Sequence, residues 1–258
     1  TQESLDFDTD AELEMHVARE NLRGANEMTE DALQIDLLNA AGVVRYTGDA
    51  VSDATMTGEG TASLVTYDDL MRLEIDLNNN RCPKDTTVIK GSRMIDTATI
   101  GASRILYAGS ELQTTFEKMT DYHGDKAFIP VQRYAHAGNT VQGEIGSIGR
   151  FRIVIVPEMM SWLGGGGAVT TNPGYRATGS NYDIFPMLVV GSGSFTTIGF
   201  QTDGKSVKFK MFNKKPGEGS ADRNDPFGET GFHSMKWYYG FMALRPEWIG
   251  LIKTVAPL

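Results

Sequence analysis

The residues of this chain that could catalyse a reaction or bind a metal ion are few and widely separated. The single cysteine, Cys82, follows three asparagines and one arginine and precedes a proline, a pattern typical of a helix exit. We expect it to be a small buried side chain. The neighbouring carboxylates Asp68 and Asp69 are better explained as charges at a helix N-terminus than as an acid–base pair. The histidines have separations that fit no local metal-binding motif. They are His16, His123, His136 and His233.

Three glycine-rich stretches resemble parts of phosphate-binding loops but lack the residues that complete them. The run 164–167 has no following Lys-Ser or Lys-Thr, and with the residues up to Ser180 it favours a flexible insertion or a long loop. The stretches 58–60 and 191–193 lack the third glycine of a dinucleotide-binding fingerprint. No Gly-x-Ser-x-Gly nucleophile elbow is present. The sequence therefore predicts no catalytic residues, no cofactor and no metal site.

Composition limits the class of protein further. The chain has 258 residues, 40% of them apolar and 22% charged, which is typical of a folded globular protein. No apolar run approaches the roughly 20 residues that a membrane span needs, so we expect no membrane partner. The formal charge of −9 argues against a surface that coats nucleic acid, but not against a protein that encloses DNA without gripping it.

The charges are unevenly distributed along the chain. An acidic segment opens it and contains Glu3, Asp6, Asp8, Asp10, Glu12 and Glu14. A basic segment lies late in the chain and contains Lys205, Lys208, Lys210, Lys214 and Lys215. Such segments can pair between copies of an assembling protein, but two solvated faces that never meet would explain them equally well. The basic strand also includes Phe209 and Phe212, which could stack bases, although lysines there are more typical of protection against aggregation.

Residue spacing predicts helices in the first half of the chain. Thr9 and Glu12 have the spacing of a capping box, and apolar residues then recur every three or four positions up to a predicted C′ glycine, Gly42. A second helix begins after the N-cap Thr66 and ends near Asn80. A third covers residues 111–119. Residues 47–63 are predicted to form an irregular loop or a short hairpin.

Strands dominate the second half. We expect strands at 86–89 and 103–108. Within 143–158, turns at glycines should lead into a buried strand, and a second buried strand should lie within 182–195. Residues 207–212 and 233–244 should form two paired strands, with a turn-rich connection between them. Helices followed by strands indicate an α+β fold.

Several segments in the second half resemble a known family. Residues 143–158, GEIGSIGRFRIVIVPE, resemble a motif of the major capsid proteins of tailed bacteriophages, in the subgroup found in podovirus-like phages. Residues 128–135, 182–191, 225–228 and 235–239 are similar to further segments of that family, in the same order. None of these is a catalytic signature, so the resemblance concerns architecture.

The resemblance implies the Hong Kong 97-type capsid fold, with a long spine helix, a long β-hairpin and an axial domain built on a central sheet. In this chain it would place the spine helix of the peripheral domain in residues 1–50, a mainly axial domain in 51–204, and peripheral strands with the C-terminus in 205–258. The family carries an N-terminal arm and an extended loop before the spine helix, and almost nothing precedes that helix here. We expect that those residues are removed or that the numbering begins inside the protein.

The function implied is that of a non-enzymatic major capsid protein. Such a protein self-assembles into hexamers and pentamers that form the icosahedral shell of a virion around double-stranded DNA, after assembly in the host cytoplasm. Scaffold, portal or decoration proteins are further possible partners. Two alternatives remain open from the residues alone. One is a hydrolase whose distant carboxylates converge. The other is a β-rich carbohydrate- or ligand-binding module with a stacking surface made from Trp162, Trp237, Tyr238, Tyr239 and Trp248.

Overall fold

The computed structural model describes residues 13–89, 97–100, 103–134, 141–197, 209–214, 223–228 and 231–258. They divide into two compact units. The smaller takes its described residues from Thr1–Leu33 and Thr197–Met242, and the larger from Gln34–Thr196 and Ala243–Leu258. The unit boundaries fall at 33/34, 196/197 and 242/243. The division into peripheral and axial parts at 50/51 and 204/205, which the resemblance implies, stays a prediction. The last strand lies inside the main sheet of the larger unit.

The described elements mix helices and strands, as expected for an α+β fold. The α-helices are α1 Leu13–Ala40, α2 Tyr67–Asn79 and α3 Gln113–Lys118, the last preceded by a 3₁₀ turn at Ser110–Leu112. The strands are β1 Val43–Tyr46, β2 Thr86–Ile89, β3 Thr97–Ile100, β4 Arg104–Ala108, β5 Phe128–Pro130, β6 Glu144–Ile148, β7 Phe151–Ile155, β8 Ala177–Thr178, β9 Asn181–Tyr182, β10 Phe185–Val190, β11 Phe195–Thr197, β12 Phe209–Lys214, β13 Phe232–Trp237, β14 Phe241–Ala243 and β15 Ile249–Thr254.

Helix α1 has 28 described residues and is about 42 Å long at 1.5 Å per residue. The predicted capping box of Thr9 and Glu12 lies outside the described residues. The prediction for Gly42 is wrong, because its φ is not in the left-handed region that a C′ glycine adopts. A Cβ at Gly42 would lie 2.6 Å from the carbonyl carbon and oxygen of Pro246. Glycine is therefore required by the close approach of another backbone segment, which sequence spacing does not reveal.

Helix α2 confirms its sequence prediction. The Thr66 hydroxyl accepts a hydrogen bond from the Asp69 amide, and the Asp69 carboxylate accepts one from the Thr66 amide at 2.9 Å. Leu70, Leu73 and Leu77 are fully buried along one face, as their spacing predicts. This face packs on the main sheet, where a Cβ at Gly250 would lie only 2.8 Å from the Leu73 Cδ1 atom.

The main sheet of the larger unit has seven strands in the order β1-β15-β10-β4-β7-β6-β5. Strand β10 lies near its centre and is buried from Phe185 to Val189. Proline is normally confined to sheet edges because it has no N–H to donate. Pro186 is accommodated because the pairing of β10 with β4 begins only at Met187. Parallel pairs β1–β15 and β4–β7 join antiparallel ones, so the sheet is mixed.

The glycine-rich segment 143–158 forms a hairpin rather than turns that lead into one strand. Its first half is strand β6, which pairs antiparallel with β7. Gly149 has a φ of +57° at the first position of the two-residue turn, as in a type II′ turn. Gly146 lies within β6, and a Cβ there would come within 2.5 Å of the Ile129 carbonyl oxygen. The glycines therefore allow strand β5 to pair closely at the sheet edge.

Strands β12 and β13 of the smaller unit form the predicted antiparallel pair. The prediction of one strand over 233–244 is wrong, because β13 ends at Trp237 and β14 begins at Phe241 as part of a different two-stranded sheet with β11. The aromatic and apolar composition is continuous across both strands. Composition therefore does not reveal where the chain leaves one sheet and enters another.

Candidate functional site

The residues considered for catalysis do not come together in the described part of the chain. His16 lies exposed on α1, His123 lies in an exposed turn, and His233 lies on β13 in the smaller unit. His136 is outside the described residues. Within the described ranges, no group of three or more His, Cys, Asp or Glu side chains is arranged to hold a metal ion.

Cys82 belongs to the hydrophobic core, as expected, and burial raises the pKa of its thiol. The buried Arg104 side chain organises the same region. Its guanidinium donates to the Cys82 carbonyl at 2.7 Å, to the Asn78 side-chain oxygen at 3.0 Å and to the Pro83 carbonyl at 3.2 Å. These acceptors belong to the exit of helix α2, where a cation is favoured by the helix dipole. Arg104 therefore fixes the connection between α2 and the sheet.

Glu59 connects two loops that are more than a hundred residues apart in sequence. Its Oε1 atom accepts hydrogen bonds from the amides of Thr170, Thr171 and Asn172 at 2.8, 2.7 and 2.9 Å, and from the Tyr182 hydroxyl at 2.8 Å. Its Oε2 atom accepts a further bond from the Thr171 hydroxyl at 2.6 Å. These donors, led by that hydroxyl, hold the pKa of Glu59 far below its usual value. We call this arrangement the Glu59 latch.

The long loop that the latch holds also has contacts at its base. The Asp183 carboxylate accepts bonds from the Gly164 amide at 2.7 Å and from the Thr178 hydroxyl at 3.1 Å. The Gly167 amide donates to the Met56 carbonyl at 2.7 Å. Residues 164–180 are therefore a long loop as predicted, but one fastened along its length and not a loose insertion.

A buried carboxylate lies in the segment that carries the family resemblance. The Glu144 side chain is fully buried and accepts bonds from the Tyr134 hydroxyl at 2.7 Å and the Val141 amide at 2.9 Å. Arg152 lies 3.7 Å from the same carboxylate and 5.6 Å from the centre of the Tyr134 ring. Burial, followed by the hydrogen bond to Glu144, raises the pKa of Tyr134 to about 12. A tyrosine that stays protonated beside a paired carboxylate stabilises the hairpin edge.

Lys253 is held in a cage near the end of β15. Its ammonium group donates to both oxygens of Asp53 at 2.7 and 2.8 Å. It also lies 4.3 Å from the ring centre of Trp162 and 5.7 Å from that of Tyr46. A carboxylate and aromatic faces offset the cost of burying a lysine. The cage thus ties the loops that carry Asp53 and Trp162 to the main sheet.

The aromatic residues considered for carbohydrate stacking are divided between the two units. Trp162 belongs to the lysine cage, and Trp248 donates its indole N–H to a backbone carbonyl at 2.9 Å. Trp237, Tyr238 and Tyr239 belong to the smaller unit. Trp162 and Trp248 have structural contacts, so the predicted stacking surface is not supported.

Several large apolar side chains are exposed on the described surface. In the larger unit, Val51 is 79% exposed and Leu163 is 67% exposed. In the smaller unit, Phe227 is 83%, Met28 63% and Phe232 56% exposed. Polar side chains fasten loops to the sheet, while these apolar groups remain at the surface. Their exposure in the single chain makes them candidates for contacts with other molecules.

Comparison with curated proteins finds a relative that matches the whole of this chain. Over its whole length the chain is 63% identical to the major capsid protein of Pseudomonas phage KPP21. The predicted resemblance is therefore confirmed, and this chain is related by sequence to phage major capsid proteins. It spans 64% of the length of that relative. No protein-family model matches the chain.

Two solved phage capsids show weaker structural likeness. The capsid of Ralstonia phage GP4 has a TM-score of 0.49 at 13% identity, covering 85% of this chain and 53% of the other. The capsid of Helicobacter pylori bacteriophage KHP30 has a TM-score of 0.26 at 12% identity, covering 67% and 51%. Neither likeness is close enough to establish a shared fold. Among the described residues, no helix has the length and apolar character needed to cross a bilayer.

Proposed function

We propose that this chain is the shell-forming region of a phage major capsid protein, which self-associates into hexamers and pentamers of an icosahedral shell around double-stranded DNA. The observation that carries the proposal is the 63% identity, over the whole length of this chain, to a protein named as a major capsid protein. On this proposal the functional site is the contact surface between subunits, and the protein acts without catalysis, cofactor or metal. It belongs to the virion, after assembly in the host cytoplasm.

The proposal includes the Hong Kong 97-type architecture. The described N-terminal part of α1 and the strands β12 and β13 belong to one compact unit, which suits a peripheral domain with a spine helix and a β-hairpin. The seven-stranded sheet with α2 and α3 belongs to the other unit, which suits an axial domain. The axial domain would then include the C-terminal strand β15.

The exposed apolar groups supply the energetic reason for association. Burial of a Leu or Val side chain that is otherwise in water contributes roughly 1.5–3 kcal/mol. Leu163 and Val51, each more than half exposed in the single chain, lose that contribution unless another molecule covers them. The Glu59 latch and the lysine cage hold their loops in place before association, which lowers the entropy lost on binding. Scaffold, portal and decoration proteins are further candidate partners for such surfaces.

Electron microscopy and light scattering of the full-length protein test the proposal. We expect rings or closed shells above a threshold concentration. Leu163→Asp should leave the thermal unfolding of the single subunit nearly unchanged, because the side chain is 67% exposed, but should reduce the fraction in particles. Ser180→Asp introduces the same charge at an exposed polar position of the same loop and should leave both quantities unchanged. A full-length protein that stays monomeric at every concentration would contradict the proposed function.

A further inference from the structure

A cavity of about 350 Å³ lies beside helix α3, and every residue that lines it belongs to the larger unit. Its apolar wall is formed by Leu64, Val65, Met119 and Pro257, of which Val65 and Met119 are buried. Pockets for small ligands begin at about 300 Å³ and combine apolar walls with a few polar groups that orient the ligand. The cavity is therefore large enough for a small organic molecule.

The Thr115 side chain lines this cavity with an unpaired hydroxyl group. Thr115 is only 7% exposed, and its hydroxyl has no hydrogen-bond partner among the residues that the structure describes. A buried hydroxyl that is left unpaired costs free energy. Threonine in a helix adopts two side-chain rotamers, so this hydroxyl can turn towards a ligand. An acceptor atom in the cavity would supply the missing hydrogen bond.

A cation lines the cavity on the same side. Lys118 follows Thr115 by three residues on α3, so the two side chains are neighbours on one face of the helix. The lining contains no acidic residue. Glu117, next to Lys118 in sequence, accepts a hydrogen bond from the Gln113 side chain at 3.1 Å. The cavity therefore offers a hydroxyl donor and an ammonium group close together.

The acids at the start of helix α2, whose first residue also lines the cavity, are engaged elsewhere. The Asp68 carboxylate lies 2.6 Å from the Arg72 guanidinium and accepts a hydrogen bond from the Tyr122 hydroxyl at 3.0 Å. The Asp69 carboxylate accepts hydrogen bonds from the amide and the hydroxyl of Thr66 at 2.9 and 2.8 Å. These contacts offset the two negative charges, so an anion in the cavity meets less repulsion.

We propose that this cavity binds a small carboxylic acid with a short apolar chain. The carboxylate accepts a hydrogen bond from the Thr115 hydroxyl and pairs with the Lys118 ammonium group. The hydrocarbon chain lies against Leu64, Val65 and Pro257. An inorganic anion would leave this apolar wall uncovered, and a pure hydrocarbon would leave the Thr115 hydroxyl unpaired. The site is formed by a single chain, so the inference goes beyond the proposed function.

NMR of the unassembled full-length protein, labelled at its methionine methyl groups and titrated with hexanoate, tests the inference. Met119 lines the cavity, so its signal, assigned with Met119→Leu, should shift and reach saturation. Met56 is also fully buried but does not line the cavity, and its signal should stay in place.

Hexanol is the matched ligand without a charge. It should bind about two- to fivefold more weakly than hexanoate, because an ion pair near the surface contributes modestly. In Lys118→Gln the two ligands should bind equally. Lys84→Gln removes an exposed lysine that does not line the cavity, and should keep the difference between hexanoate and hexanol.

Thr115→Val replaces the hydroxyl with a methyl group of similar shape. Without ligand, its thermal unfolding temperature should equal or exceed that of the unmodified protein, because no hydrogen bond is lost. Its binding of hexanoate should fall by about two- to tenfold, because the bond to the carboxylate is lost. A hydroxyl with only a structural role would not affect hexanoate binding.

Four results would overturn the inference. One is a Met119 signal that does not respond to hexanoate. Another is equal binding of hexanoate and hexanol by the unmodified protein. A third is a Thr115→Val protein that unfolds at a lower temperature and binds hexanoate normally, because a water molecule would then already pair with the hydroxyl. The last is a Met119 signal that responds in the unassembled chain but not in assembled particles, which would assign the cavity to a contact between subunits.

The inference and the proposed function can fail separately. Binding is measured on the unassembled chain, so a protein that binds hexanoate but forms no particles would contradict only the proposed function. Particles formed by a protein that does not bind hexanoate would contradict only the inference.

Discussion

The contact between Gly250 and Leu73 determines how closely helix α2 approaches the main sheet, and Gly250→Ala perturbs it directly. The added Cβ would lie 2.8 Å from Leu73 Cδ1 and 3.5 Å from Leu73 Cγ, whereas carbon atoms in contact normally lie about 3.5–4.0 Å apart. Leu73 is fully buried in the core cluster, so it has little room to move. Overpacking of this kind costs about 1–3 kcal/mol. We expect Gly250→Ala to lower the free energy of unfolding by about that amount.

In a protein that already carries Leu73→Ala, the effect of Gly250→Ala on the free energy of unfolding should have the opposite sign. Leu73→Ala alone removes a buried side chain and costs about 2–5 kcal/mol. With Leu73 shortened, the added methyl group of Gly250→Ala fills space and restricts the unfolded chain, which stabilises by about 0.5–1 kcal/mol. The double variant should therefore be more stable than Leu73→Ala alone, with a coupling energy of about 2 kcal/mol or more.

Urea unfolding of the dilute chain, followed by circular dichroism, measures all four proteins of this cycle. Gly24→Ala provides a matched control, because an added Cβ there meets no atom within 4 Å and φ is not positive. If Gly250→Ala had the same effect in both backgrounds, within about 0.5 kcal/mol, the two sites would be independent. A requirement for glycine at the approach of Leu73 would then be refuted.

Three further predictions concern single positions. Gly24→Ala should raise the free energy of unfolding, measured in urea titrations, by about 1 kcal/mol, because alanine has the higher helix propensity and its Cβ meets no other atom. A loss of stability would show that the helix needs glycine at this position. Arg81 has a φ of +56° just after the C-cap of α2, a conformation that glycine adopts without strain. In thermal unfolding, Arg81→Gly should therefore stabilise the protein by about 0.5–1 kcal/mol, whereas Arg81→Ala should not. The lowered pKa of Glu59 means that its stabilising effect is present above the unfolded value near 4.5 and is lost only as pH falls through the much lower folded value. Amide hydrogen exchange at residues 170–172 should therefore stay slow, relative to its intrinsic rate, from pH 7 to below about pH 4, and Glu59→Gln should speed it at every pH in that range; equal protection in both proteins would count against the latch.

Local patterns in the sequence were sufficient for the elements that depend on near neighbours. The Thr66–Asp69 capping box and the spacing of Leu70, Leu73 and Leu77 predict helix α2, because each of these contacts spans three or four residues. Alternation and turn residues likewise predict the pairing of β12 with β13. The ordered segments that resemble the phage major capsid family predict a relationship to it, and the 63% identity over the whole chain confirms that resemblance.

The tertiary structure alone decided what the polar and glycine residues do. Glu59 looked like part of an incomplete glycine motif, but its five hydrogen bonds come from residues more than a hundred positions away. Gly42 and Gly146 looked like turn residues, yet each is required where a distant backbone segment approaches. Likewise, only the register of β12 and β13 shows that Lys210 lies opposite Lys236. Sequence spacing determines which residues share a face of a helix or strand. The packing of distant segments determines which faces contact each other and which donors a carboxylate such as Glu59 finds.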